Sequence, residues 1–211
     1  MYLPEHFAET EIEVLHQLIR ARPLCTLVTL SSNGIDANHI PLYLSPEPAP
    51  FGTLRGHVSR ANPIPDGSEA LAIFHGPQSY VTPSWYPAKA ETGKVVPTWN
   101  YVVVHAHGKL GLVEDRAWLR AHLQSLTDRN EAGFPEPWKL EDAPSDFTEK
   151  LIGGIVGIEL PISRLIGKWK TSQNQPEGNR AGVACGLREC GTPDALEMAD
   201  LVEKACRKNR N

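Results

Sequence analysis

The sequence predicts an α+β protein, mainly β, built on an antiparallel barrel with flanking helices. Three observations carry that expectation. Six or more short runs of β-forming residues follow one another, 17 glycines and 18 prolines are spread along the chain as turn punctuation, and helical apolar spacing is confined to a few segments. No internal repeat or low-complexity tract interrupts this pattern.

The elements read off in order. Thr10-x-x-Glu13 is a capping box, and Ile12, Leu15 and Ile19 follow at helical spacing, so a helix is expected from about Glu11 to Ala21, ending before Pro23. Leu24–Leu30 is a strand, and Asn33-Gly34 predicts a hairpin turn into a returning strand over Ile35–Leu44. Phe51–Arg55 reads as a short strand, and Gly56–Pro63 as a turn leading into a short helix or loop. Two further strands are expected at Ala70–His75 and Ser79–Thr82, broken by Gly76-Pro77, and Ser84–Pro97 reads as irregular. Trp99–His107 is the best long strand, with Gly108-Lys109 turning back into Leu110–Glu114. A helix over Arg116–Leu126 takes Asp115 as its cap, and a shorter one over Asp146–Ile152 takes Ser145. Gly154–Glu159 and Ser163–Trp169 are the last strands, and Pro193 opens a final helix to about Arg207. Its acids come early (Asp194, Glu197) and its bases late (Lys204, Arg207, Lys208), as the helix dipole prefers.

Charge and composition narrow the function. The net charge of −4 lacks the basic surplus that many phosphate contacts to nucleic acid require, so direct DNA binding is disfavoured. Met1-Tyr2-Leu3-Pro4-Glu5 does not read as a signal peptide, and the uncharged stretch between Glu69 and Lys89 carries too many prolines for a membrane span. Cys25, Cys185, Cys190 and Cys206 show no CxxC spacing and read as reduced thiols of a cytoplasmic protein.

Three segments hold candidate binding chemistry. In Gly56-His57-Val58-Ser59-Arg60-Ala61-Asn62-Pro63, the side chains of His57, Ser59, Arg60 and Asn62 offer converging donors and a guanidinium, which suits a phosphate; spacing alone favours a polar surface turn with an N-cap serine. In Pro97-Thr98-Trp99-Asn100-Tyr101, an aromatic next to an amide suits a planar heterocycle, or a barrel-wall tryptophan. Lys168-Trp169-Lys170-Thr171-Ser172-Gln173-Asn174 packs two cations and four hydrogen-bonding side chains into a strand end, or is an ordinary polar junction. His105 and His107 lie on one strand face without a third ligand, and Cys185 and Cys190 lack a partner pair, so no metal is expected. Neither a dinucleotide nor a P-loop fingerprint is present, and no nucleophile–base grouping can be argued from spacing.

With those residues laid out, the chain resembles the PaiB family of FMN-binding negative transcriptional regulators. Asn38-His39-Ile40-Pro41, the Gly56–Pro63 run, Ser79–Trp85 with Pro97–Tyr101, and Lys170-x-Ser172-Gln173-Asn174 carry the resemblance. It implies a split β-barrel related to pyridoxamine-phosphate-oxidase-like proteins over residues 1–183, with 184–211 a C-terminal helical extension. It also implies a homodimer with non-covalent FMN at the subunit interface. The phosphate would lie by His57, Ser59, Arg60 and Asn62; Thr98, Trp99 and Asn100 would approach the flavin; Lys170, Ser172 and Gln173 would complete the pocket. One departure is Gln175, where the family pattern has a basic residue; Arg180 or Lys170 is the expected substitute. The function implied is negative regulation, acting indirectly. A small FMN-dependent oxidoreductase is the alternative, with a haem-handling split barrel, using His105 or His107, ranked third.

Overall fold

The computed structural model describes residues 1–32 and 34–208, with side chains through 205. Asn33 of the expected turn, and the side chains of Arg207 and Lys208, therefore lie outside the described residues. In chain order the elements are β1 (Ala8–Glu9), α1 (Ile12–Ala21), β2 (Leu24–Ser31), β3 (Gly34–Pro41), β4 (Tyr43–Ser45), β5 (Thr53–Ser59), β6 (Glu69–Val81), α2 (Ala88–Thr92), β7 (Thr98–Lys109), β8 (Gly111–Val113), α3 (Arg116–Glu131), α4 (Ser145–Gly153), β9 (Ile155–Lys170), α5 (Glu177–Cys190) and α6 (Pro193–Lys208). The sheet order is β3-β2-β6-β7-β9-β5-β4, with β1 and β8 also pairing to β9, and every described pairing is antiparallel.

The chain forms two compact units, and β6, β7 and β9 each contribute to both. One unit comprises His16–Phe74 and His105–Leu165; the other comprises Met1–Leu15, His75–Val104 and the chain from Ile166 onward. In the first, β2 and β3 form the expected hairpin, in register from Leu24↔Pro41 to Ser31↔Gly34. Alternation along β2 sends Cys25, Leu27 and Thr29 inward, where Leu27 meets a core that includes Leu54, Ala72, Ile158 and Leu160. The other face of β2 is considered below. Helix α3 starts where Asp115 accepts the N–H groups of Ala117 and Trp118, at 2.7 and 2.9 Å.

The second unit holds α5 and α6. Val183, Ala184 and Leu187 of α5 are buried, as are Ala195, Met198, Ala199 and Val202 of α6. Gly186 faces the indole of Trp85, and a Cβ there would come within 2.2 Å of the ring. That close approach seats the loop carrying Trp85 on the helix.

Four expectations are corrected. The segments at 70–82 form one strand, Glu69–Val81, running through Pro77. The described register with β2 ends at Ile73, so the missing proline N–H costs no ladder bond on that side. Likewise β9 is continuous through Pro161, which sits at the last rung of its pairing with β5 (Thr53↔Pro161). Gly56 does not make a turn. It lies inside β5, where a Cβ would come within 2.6 Å of Leu42 Cδ2, so it serves close packing and the chain turns only after Ser59. Finally, Ser145 is inside α4 rather than capping it, and the cap position is Pro144.

Candidate functional site

The clearest gathering of the predicted residues is in the second unit, where the start of β7 meets the turn after β9. Alternation on β7 puts Thr98 and Asn100 on one face and Trp99 on the other. Lys170 Nζ donates to Thr98 Oγ1 at 2.6 Å. Asn100 is completely buried; its Nδ2 donates to Ser172 Oγ at 2.9 Å, and that hydroxyl is also within 3.3 Å of Asn100 Oδ1. Asn100 therefore acts on anything outside the protein through Ser172, which it pins. Ser172 has φ of 61°, a left-handed conformation costly for a non-glycine residue, and the buried amide is what offsets it. Gln173 closes the turn: its Oε1 accepts from Thr171 N at 2.7 Å, and its Nε2 donates to the Trp169 carbonyl. Thr98–Lys170 and Asn100–Ser172 are thus two side-chain pairs that tie the start of β7 to the end of β9 and the turn after it, with Gln173 bracing that turn. Trp99 stands apart, 53% exposed, with the 46%-exposed Tyr80 ring edge-on at 6.1 Å.

The electrostatics of this unit are unbalanced. Lys170 has Thr98 as its hydrogen-bond partner and no carboxylate among the described residues. Arg180, on α5, is only 8% exposed, and its buried Nε has no acceptor. Lys168 is also buried; its Nζ donates to the Tyr2 carbonyl at 3.1 Å and sits 5.2 Å from the Tyr101 ring centroid. The family resemblance suggested Lys170 or Arg180 as the substitute for the basic residue absent at Gln175. Nothing in the pattern signalled that Arg180 is buried, because α5 has no counterpart among the expected elements.

In the first unit the expected phosphate quartet is held by different partners. His57 Nδ1 lies 3.2 Å from His122 Nε2 on α3, and one of the two donates according to tautomer. Burial holds the His57 pKa below its ordinary value. His122, desolvated and facing His57 and Arg55, is pushed down to about 4, so the pair is neutral at neutral pH. Ser59 Oγ accepts from Ala61 N at 3.3 Å, and Asn62 Nδ2 donates to Asn38 Oδ1 at 2.8 Å. Arg60 donates from Nε to the Gly153 carbonyl, from Nη2 to the Ile155 carbonyl and from Nη1 to Glu114 at 2.6 Å. That ion pair is open to solvent, with 47% and 65% of the two side chains exposed, so exchanging Glu114 for another anion costs little.

Other candidates resolve plainly. His105 and His107 are 6.3 Å apart, Arg164 Nη2 is 3.2 Å from His107 Nδ1, and no cluster of three metal-ligating residues occurs among the described residues. Burial pushes the Cys25 thiol up to about 12, which keeps it protonated and unreactive. No helix among the described residues is long and apolar enough to cross a membrane.

The donor set fits a planar anionic group. Uncompensated cations, an orphaned buried guanidinium nitrogen and a locked hydroxyl–amide turn supply the polar contacts, and Trp99 with Tyr80 supplies exposed aromatic surface. Comparison with known proteins bears on the family and the cofactor. A sequence-family model described as "Putative FMN-binding domain" matches residues 1–164. An uncharacterized protein of Emericella nidulans is 35% identical, the match covering 97% of each chain. The Bacillus subtilis protease synthase and sporulation protein PAI 2 is 29% identical over 99% of each chain. The structure of a FAD and heme binding protein from Mycobacterium smegmatis superposes with a TM-score of 0.59 at 18% identity, covering 77% of this chain and 73% of that one. At that identity the likeness speaks for the fold, the antiparallel split barrel. With most of its length matched, the chain belongs to this FMN-binding family of PaiB type, and its cofactor is FMN.

Proposed function

We propose that the chain binds FMN non-covalently as a homodimer and serves as a negative regulator whose effect on transcription is indirect. The observation that carries the reading is a pair of cations in this unit: Lys170, with no carboxylate partner among the described residues, and the 8%-exposed Arg180, whose buried Nε has no acceptor. A buried charge without a counter-charge is costly, and a bound anionic group offsets that cost. In this reading Lys170, Ser172 and Gln173 contact the cofactor, Thr98 and Asn100 hold them in place, and Trp99 lends its exposed face. The Ser59–Asn62 turn, with His57, is the proposed phosphate contact, reached when Arg60 exchanges Glu114 for the phosphate. When bound, the flavin would supply electron-accepting chemistry; the protein supplies orientation and charge.

A second copy of the chain fits the bare face of the β2–β3 hairpin. Leu24, Val28 and Leu30 of β2 share that face with Ile35 and Ala37 of β3, and Leu71 and Ile73 of β6 extend it through the register. Leu24, Leu30 and Ile35 are 63%, 63% and 79% exposed, an arrangement monomers rarely leave open. The net charge of −4 supports the indirect form of regulation.

The test is gel filtration of purified protein with added FMN, followed at the visible flavin bands. Flavin co-eluting with protein at dimer mass is expected. Elution of all flavin at the small-molecule volume overturns the reading. Tight sequence-specific DNA binding by gel shift at low salt overturns its indirect part.

A further inference from the structure

The first unit contains a cavity that no residue of the proposed flavin contacts lines. It has a volume of about 300 Å3, and α3 forms one wall through Trp118, His122, Ser125 and Arg129. Tyr43, Leu44, Ser45 and Pro46 of β4 and the following loop, with Arg55 of β5, form the other. That volume is at the small end of ligand pockets.

Its chemistry is one-signed. Arg129 and Arg55 are the charged residues of the lining, and no acid is among them. Arg55 is neutralised from outside the lining, its Nε bonding Glu159 at 2.8 Å while Glu159 also accepts from Trp118 Nε1 at 3.3 Å. Arg129 is not neutralised. Its guanidinium lies over the Tyr43 ring, 5.0 Å from the centroid, and none of the described carboxylates pairs with it. Stacking on the ring leaves the edge donors of the guanidinium unspent. The Tyr43 hydroxyl accepts from Asn130 Nδ2 at 2.9 Å, which leaves its own hydrogen to donate. Aromatic rings form part of the remaining wall, beside Leu44, Pro46, Ala121 and Leu126: His122 stacks on Trp118 at 5.1 Å and 14°, and Tyr43 meets His122 edge-on at 6.4 Å. A Cβ at Gly157 would come within 2.4 Å of Trp118, so a bare glycine backs the indole and fixes this wall on β9.

We infer that this cavity binds a small aromatic anion, its carboxylate or phosphate on Arg129 and the Tyr43 hydroxyl and its ring against the Trp118–His122–Tyr43 wall. The planar fork of arginine pairs with either oxyanion, and a half-apolar, half-cationic cavity selects for an anion that carries a ring. The cavity also touches the flavin-contact set at one point, since His122 is hydrogen-bonded to His57.

The probes are benzoate, phenyl phosphate, acetate and benzyl alcohol, titrated calorimetrically into the full-length FMN-loaded protein. Saturable binding of benzoate or phenyl phosphate is expected, with acetate and benzyl alcohol weaker by about tenfold or more, because each lacks half of the recognised chemistry. The tighter of the two aromatic anions identifies the headgroup. Arg129→Gln is expected to weaken that anion about tenfold while FMN remains bound. Arg129 is exposed, so this variant is not expected to unfold; Ala121→Trp, which fills the cavity, is a second route to the same loss. Failure of both aromatic anions to saturate, equal binding of benzyl alcohol, or binding indifferent to both substitutions overturns the proposal. Because flavin retention is read separately, those failures are distinct from failure of the flavin reading.

Discussion

Arg60 donates every guanidinium nitrogen group to a protein acceptor, whereas Arg180 leaves Nε with none, and the two predict opposite thermodynamics. Arg60→Ala removes a charge-assisted contact to the phosphate, so FMN affinity should fall by roughly 1.5–3 kcal/mol while riboflavin affinity is unchanged. Calorimetry with both ligands checks it; equal loss for both removes Arg60 from the phosphate. Arg180→Met instead deletes a buried cation whose Nε has no acceptor. The protein without FMN should gain about 1 kcal/mol or more, while the rise in Tm on adding FMN shrinks. The residue types were legible in the sequence, since donors and cations cluster by position. Their pairing was not: Arg60 turning to Glu114 and Asn100 pinning Ser172 across 72 positions are products of tertiary register. His122 supplies a pH test. Its folded pKa, about 4, lies below its ordinary value of 6.5, so the unfolded chain binds more protons between those values. Its contribution is whole above pH 6.5 and is lost as pH falls toward 4, a change on the order of 2–3 kcal/mol. The His122→Phe variant should show a flatter stability profile across that window in urea melts.

At the scale of elements, glycine spacing on α5 decides a packing contact that composition hid. Gly178, Gly182 and Gly186 lower helix propensity, and the helix is therefore invisible to periodicity. The reason for glycine differs between positions. A Cβ at Gly186 meets the Trp85 ring at 2.2 Å, whereas one at Gly178 meets nothing within 4 Å. Gly186→Ala should therefore destabilise by about 1–3 kcal/mol, overpacking outweighing the propensity gain. Gly178→Ala should be neutral or stabilise by up to about 1 kcal/mol. Thermal melts of the two variants check the contrast; a matching gain in both would show that Trp85 moves freely. The long strands were read as halves for a related reason. Pro77 and Pro161 look like breaks in a one-dimensional pattern, and only the ends of the β2–β6 and β5–β9 registers show that neither proline owes a ladder bond there. Helix α3, by contrast, was legible because Asp115 carries its own capping chemistry.

For the whole molecule, the bare hairpin face makes assembly testable without touching any proposed FMN contact. Leu30 and Ile35 are opposite each other in the register, and both are mostly exposed, so they contribute little to the fold of one chain. A face of leucine, valine and isoleucine around the Thr26–His39 pair can meet its own equivalent, as a two-fold interface demands. Leu30→Glu places a carboxylate on that face, one rung from the hairpin turn, in both copies, where burial against a partner leaves it unpaired. Folding of the single chain should change by less than about 0.5 kcal/mol, since the substituted side chain stays in water. The dimer should dissociate on gel filtration at micromolar concentration, and flavin should leave with it if the cofactor needs both copies. A variant that stays dimeric with full flavin retention would place the seam on another face. A monomer that still retains flavin would place every essential contact within one chain, and would turn attention back to Lys170 and Arg180 as the groups that hold it.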